Sequence, residues 1–363
     1  QGKTPYQLAS YEYADIYEHE PKEGVNNIYS EIFFTHGKNW QQPGGKEAMM
    51  RGLREGTNLA RWGNGTNWGP NVQSCCYGGF CIAPTANYVN YAYGMADGTR
   101  FEDALKADPD VAKFPFKNRD KRFYHDIVYD GCRYLNGETK DLADLKYCSL
   151  YTGGAMRPVA NGSSTGYFIQ KLVPHQCNIG DKWYDWDGAL SCYIPYMRLA
   201  DVYLMYAEAR AGMAKTQSDL RSKPTYCPNL SAIDAVNKLR DRVNSSDWPM
   251  ERVVAQFLDT KEHFLDELRR ERAVELAFEG FRWNDLQRWL LLTEPPYTMK
   301  YSHEFERLEK DSYFVSGDPK NARVGNFHRE ELITRNLEAR HYWFPLPDKD
   351  TYLYEGFPQN PGW

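Results

Sequence analysis

Between Pro195 and Leu291, apolar residues recur every three or four positions in successive runs, which commits this part of the chain to amphipathic helices packed on one another. The first run puts Leu199, Val202, Tyr203, Tyr206, Ala209 and Met213 on one stripe. Ser231 reads as the cap of a second helix, whose face carries Ile233, Val236, Leu239 and Val243. A third runs from about Thr260 to Phe278, with Leu265, Leu268, Arg272, Leu276 and Phe278 toward its buried side. Gly280 interrupts it, and Phe281 to Leu291 resumes with Phe281, Trp283, Leu286 and Trp289. Consecutive helices joined by connections of moderate length predict helical hairpins.

The rest of the chain carries no such period. Pro84-Thr85 opens a further helix through Tyr88 and Tyr91, and Asp97-Gly98 marks a turn after it. Glu31 to Phe34, Phe123 to Tyr129 and Tyr167 to Val173 read as short strands, and the last 60 residues as loops rich in Pro and aromatics. The expected fold is therefore mainly α: a helical scaffold with long irregular loops and a few short strands. It divides into a loop-rich, ligand-facing part (1–194), a helical core (195–292) and a C-terminal closing segment (293–363).

From Gly37 to Ile82 the pattern dissolves into Gly, Asn, Arg and Trp. A loop of that length in a compact chain is usually functional or disordered, and its tryptophans argue against disorder. Composition sharpens the point: 27 Tyr, 17 Phe and 10 Trp stand in a chain whose mean hydropathy is -0.71. Sugar rings present apolar faces that stack on Trp and Tyr while Asn, Gln and Arg bind the hydroxyls. Arg61, Trp62, Asn64, Asn67, Trp68, Asn71, Gln73 and Tyr77 supply that chemistry, which would suit a peptide equally. Trp183, Tyr184 and Trp186 form a second aromatic lip, alternating with Asp181, Asp185 and Asp187. These three aspartates, followed by Gly188, offer oxygens to Ca²⁺, although the spacing is not that of an EF-hand. Packed loop aromatics and a solvated acidic turn are the competing readings of the same residues.

Other signals exclude functions. A net charge of -5 with the signs interspersed leaves no nucleic-acid footprint, and no stretch of about 18 apolar residues exists to span a membrane. Eight cysteines, all before residue 228, fit an oxidising compartment, with no pairing assigned. Gly162-Ser163-Ser164-Thr165-Gly166 matches G-x-S-x-G but lacks the strand-turn-helix context of a nucleophile elbow, so a plain turn is expected. His303-Glu304-Phe305-Glu306-Arg307 has Arg where a zinc-binding helix needs its second His. The charges from Arg269 to Arg272, with Glu275, Glu279, Arg282, Asp285 and Arg288, fall at spacings that predict a structural ion network.

Five motifs in order resemble the SusD/RagB family of outer-membrane nutrient-binding lipoproteins. They are PYMRLADVYLMYAEA from Pro195, AVNKLRDR from Ala235, ELRRERAVELAFEGFRWNDL from Glu267, WFPLP from Trp343, and QNPGW ending at Trp363. Pro84-Thr85 with Asp97-Gly98, and Asn118 to Tyr124, also fit, so the resemblance covers nearly the whole chain. It implies a scaffold of tetratricopeptide-like helix pairs. The lipoprotein signal, acylated Cys and first helical region of the family would precede the Tyr-rich segment at which this sequence starts.

The function implied by the resemblance is non-enzymatic. A SusD-like subunit sits on the extracellular face of the outer membrane, held by a lipid anchor, as a lid over a SusC-like TonB-dependent transporter. It captures an oligosaccharide or a peptide and needs no cofactor. The family's ligand sites lie in variable loops, so no residue is carried over by motif. The alternatives are a secreted glycoside hydrolase, which would need a pair of loop carboxylates across a cleft, and a helical scaffold that binds protein alone.

Overall fold

The computed structural model describes residues 5–11, 29, 32–35, 46–50, 83–133, 147–158, 162–171, 191–192, 195–244, 252–353 and 356–363. In chain order its main elements are β1 (Phe34–Thr35), β2 (Ala48–Met50), α1 (Ala86–Ala92), α2 (Phe101–Ala107), α3 (Pro109–Lys113), α4 (Lys121–Asp126), β3 (Ile127–Val128), β4 (Phe168–Ile169), β5 (Ser191–Cys192) and β6 (Met197–Arg198). There follow α5 (Leu199–Met213), α6 (Ala232–Val243), α7 (Lys261–Glu275), α8 (Arg282–Arg288), β7 (Met299–Arg307) and β8 (Val324–Thr334). The strands pair two by two, as β1-β5, β2-β6, β3-β4 and β7-β8, all antiparallel.

The expected helical core is present, and its caps explain where it starts. Ser231 Oγ accepts from Asp234 N–H at 3.1 Å while the Asp234 carboxylate accepts from Ser231 N–H at 3.0 Å, so two orphan donors of α6 are satisfied reciprocally. Thr260 does the same for His263 N–H of α7 at 3.0 Å. Ile233, Val236, Leu239 and Val243 are all buried, as the period predicts. On α5 the buried stripe is instead Ala200, Leu204, Ala207 and Ala211, with Tyr203 and Tyr206 half-buried at its border and Met213 exposed. The small alanines let α5 lie close against α6 and α7, and the large residues named from the sequence flank the contact rather than fill it.

Two expectations are corrected. Phe123 to Tyr129 is not one strand: Asp120 accepts from Arg122 N–H at 2.9 Å and starts α4, and only Ile127–Val128 pairs, with β4. Both segments are buried throughout, which erases the alternation that separates strand from helix. The last 60 residues are not all loop, because β7 and β8 form the longest ladder described, from Met299 opposite Thr334 to Arg307 opposite Val324. The G-x-S-x-G segment is the expected turn. Ser163 is buried, and its Oγ accepts from the N–H groups of Gly166 and Tyr167 at 3.1 Å and donates to Tyr167 O.

The charged sequence around Arg270 forms a buried ion network joining two apolar clusters. Leu268 and Leu276 of this region pack with α5 and α6, whereas Val274 and Ala277 pack with Phe116, Phe123, Tyr167 and Phe305. Between them run Glu267, Glu271 and Glu275, a row of like charges four residues apart that would destabilise an isolated helix. Most of their partners come from elsewhere in the chain. Arg122 and Arg240 meet Glu271 at 2.6 and 2.9 Å, Arg240 also meets Glu267 at 2.5 Å, and Arg198 meets Glu275 at 2.6 Å. Arg242 joins Glu275 too, and Lys171 reaches Glu279 at 2.8 Å. Burial alone would raise the Glu271 carboxyl, but Arg122, Arg240 and Arg270 outweigh it and hold it at about 2.

A tight approach locks the loop after β3. Gly131 has φ +79°, and a Cβ there would lie 2.2 Å from Phe314 Cε1. Gly131→Ala is expected to cost about 1–3 kcal/mol, from a strained backbone and a displaced ring. Urea unfolding checks this, and an unchanged midpoint would show that the ring moves aside freely.

Candidate functional site

One cavity of about 920 Å³ opens where the helical core meets the β7-β8 hairpin. Its size is that of a pocket for a small ligand. α1 presents Asn87, Tyr88, Asn90 and Tyr91 to it; the turn into α8 presents Phe278, Gly280, Arg282 and Trp283; and the chain entering β7 adds Tyr297, Met299, Lys300 and Tyr301. The local sequence explains the placement. Thr85 starts α1 in extended backbone, so Tyr88 and Tyr91, three residues apart, share a face. Phe278 (φ 64°) and Gly280 (φ 91°) both take the left-handed conformation, which ends α7 and turns the following Arg282 and Trp283 toward that face.

Arg282 is the centre of the arrangement. Its guanidinium carbon lies 5.0 Å from the Tyr91 ring, 5.4 Å from Tyr297 and 6.0 Å from Tyr88, inside a cage of three rings. Tyr91 and Tyr297 meet edge to face at 6.0 Å, and Tyr88 donates to Ala273 O at 2.7 Å while its ring contacts Phe278 at 5.7 Å. Arg329 of β8 covers the Tyr301 ring at 5.3 Å and pairs with Glu102 at 3.2 Å. Asn90 holds the same carboxylate at 3.0 Å and meets the buried His303 ring at 2.9 Å. Burial, with Arg119 and Arg329 nearby, keeps His303 well below the usual range and hence neutral.

Several polar atoms of this wall are buried with no hydrogen-bond partner among the described residues. They include Trp283 Nε1, Arg282 Nη1 and Asn90 Oδ1. Buried polar groups are nearly always satisfied, so orphans gathered around a cavity mark where a ligand or ordered water completes the bonding. The rings offer flat apolar faces and the orphaned groups offer donors and an acceptor, the pairing that sugars require.

Every residue named as ligand-binding from the sequence (Arg61, Trp62, Asn64, Asn67, Trp68 and Tyr77, with Trp183 and Trp186) lies outside the described residues, as do Asn71, Gln73, Tyr184, Asp181, Asp185 and Asp187. Among the described residues no group of His, Cys, Asp and Glu is placed to hold a metal ion. The cavity residues themselves were read otherwise: Tyr88 as part of a helix, Trp283 as part of an apolar stripe, and Arg282 as part of the ion network. Arg282 has no carboxylate in ion-pairing range among the described residues, whereas Arg270, Arg272 and Arg288 do. The legible signal was the aromatic, Pro-rich run Pro295-Pro296-Tyr297 leading to Tyr301, an unusual entry to a strand.

The model of the SusD family matches residues 46–363. The chain belongs to the SusD family. A SusD-like protein of Bacteroides ovatus is 25% identical over 177 residues, covering 45% of this chain and 28% of that protein. A solved SusD-like protein from Bacteroides fragilis superposes with a TM-score of 0.62 at 22% identity, over 97% of this chain and 59% of the other. A second, described as a SusD-like carbohydrate binding protein from the same species, gives 0.50 at 22% identity over 90% and 56%. This SusD-family chain therefore spans little more than half the length of the solved structures, and it has their fold. Among the described residues no helix is long and apolar enough to cross a membrane.

Proposed function

We propose that this chain is the ligand-capturing part of a non-enzymatic glycan-binding protein at the cell surface. In this reading it hands its oligosaccharide to a SusC-like TonB-dependent transporter from the extracellular face of the outer membrane, where a lipid anchor holds it. The observation that carries the reading is the cavity: a cage of Tyr88, Tyr91 and Tyr297 with unsatisfied polar atoms beside it, on a SusD-family scaffold. That a similarly folded protein is described as carbohydrate binding supports it. Against the hydrolase alternative, Glu102 at the cavity is held between Asn90 and Arg329, the opposite of the apolar setting that keeps a catalytic acid protonated. The loop residues Trp62 and Trp68, with Trp183 and Trp186, belong to the proposal as a second set of stacking contacts.

Isothermal titration against a panel of oligosaccharides tests the reading, with reducing ends followed in parallel. Binding without release of reducing ends is expected. Tyr297→Ala, which removes one wall without touching the core, should weaken binding about tenfold, equivalent to ~1.4 kcal/mol. A W62A/W68A double variant should weaken it as well. Unchanged affinity in both variants would remove both surfaces from the function, and turnover of any glycan would replace a binder with an enzyme.

A further inference from the structure

The cavity is charged as well as aromatic, and its charges do not balance. Arg100, Lys106, Arg282, Lys300, Arg329 and Arg335 line it, against Glu102 and Asp103. This excess of cations stands in a chain whose net charge is -5. Three of the six are answered by carboxylates. Arg100 is 2.8 Å from Asp266 and 3.4 Å from Glu267, Arg329 is 3.2 Å from Glu102, and Lys106 is 3.9 Å from Asp103. Arg282, Lys300 and Arg335 have no carboxylate in ion-pairing range among the described residues.

These three come from different segments that converge on one wall. Arg282 opens α8, Lys300 lies on β7, and Arg335 follows β8, tied to the start of β7 by its N–H donating to Thr298 O at 3.0 Å. Lys300 Nζ donates one bond, to Tyr297 O at 2.7 Å, which leaves two of its three protons unspent. Arg282 keeps Nη1 unpaired although it is buried among rings. Burial first, then repulsion from Arg335 and Arg282, pulls the Lys300 ammonium down to about 8, so the three charges sense one another. Like charges gathered without counter-charge are unfavourable until an anion enters, and guanidinium groups match the geometry of carboxylate and sulfate oxygens.

We infer that the glycan taken by this cavity is anionic, carrying a carboxylate or a sulfate ester that Arg282, Lys300 and Arg335 bind while the tyrosine cage stacks on its sugar ring. This rests on the cavity being the glycan site. Uronate and sulfate share the chemistry required, and the test separates them.

Titrations of the protein with tetramers of glucuronate, of 6-O-sulfated glucose and of unmodified glucose, at equal ionic strength, decide it. At least one anionic tetramer should bind tenfold or more tighter than the neutral one, and that preference should shrink as salt is raised. The tighter of the two anions names the group. Arg335→Gln, at an exposed position where folding is not at stake, should cut the preference severalfold and leave the neutral affinity unchanged, and Arg282→Gln should abolish it. Equal binding of neutral and anionic tetramers, with Tyr297→Ala still weakening both, would overturn the charge assignment and leave the cavity as the glycan site. A preference that survives Arg335→Gln and Arg282→Gln together would overturn it as well. Binding of none of the three tetramers would bring down the inference and the reading beneath it together.

Discussion

Glu275→Ala is expected to destabilise the protein by about 3–5 kcal/mol, because it strands several buried guanidinium groups at once. Glu275 Oε1 accepts from Arg198 at 2.6 Å and from Arg242, and its Oε2 accepts from Arg122 at 3.2 Å. All three arginines are buried, Arg198 and Arg122 completely. Such networks are not stabilising merely by existing, since matched apolar side chains often do as well. What makes the loss large is asymmetry: each remaining charge has given up its water and keeps only part of its compensation. Glu275→Gln, which preserves volume and some hydrogen bonding, should recover only part of the loss. Urea unfolding of both variants measures it. A Glu275→Ala protein within about 0.5 kcal/mol of wild type would mean that water reaches the network.

The second large effect is acid sensitivity. Glu271 is held at about 2 in the folded chain against an ordinary 4.5, and Arg270 with Arg240 and the cations around Glu275 hold Glu267 and Glu275 low despite their burial. A depressed carboxyl stabilises the fold fully above its unfolded value. That benefit disappears as the pH falls from about 4.5 toward 2, where the unfolded chain takes up the proton first. For Glu271 alone the shift is worth on the order of 3 kcal/mol, and Glu267 and Glu275 add to it in the same direction. Asp130 runs the other way, because burial raises it despite Arg307, and it offsets only a part. Urea midpoints should be level from pH 7 to 5 and fall steeply between 4.5 and 3. A flat profile down to pH 3 would show that these carboxylates titrate as if exposed.

How much was legible depended on whether a residue's neighbours in space were also its neighbours in sequence. The helices after Pro195, the Ser231 cap and the break at Gly280 were legible because period, cap and left-handed turn are all local. The ion network was legible as chemistry but not as wiring: Arg198 and Glu47 are 151 residues apart, and no spacing rule connects them. The cavity was illegible for the same reason. Tyr91, Arg282, Tyr297 and Arg335 converge from four segments, and each has an ordinary local explanation. Arg282 in particular was indistinguishable from the paired arginines before it, and only its lack of a carboxylate partner in the folded chain sets it apart. The β7-β8 ladder escaped notice because most of β8 is exposed on both faces and shows no alternation of apolar and polar residues.

That same strand has a further consequence. β8 is eleven residues long and pairs only with β7 among the described residues, so it presents a free backbone edge. Unguarded edges of this length recruit strands from neighbouring molecules and seed aggregates. Here the middle of the strand reads His328-Arg329-Glu330-Glu331, a row of hydrophilic gatekeepers that makes such docking costly. The polarity that concealed the strand thus lets a receptor crowded among its own copies expose a long ribbon and remain dispersed.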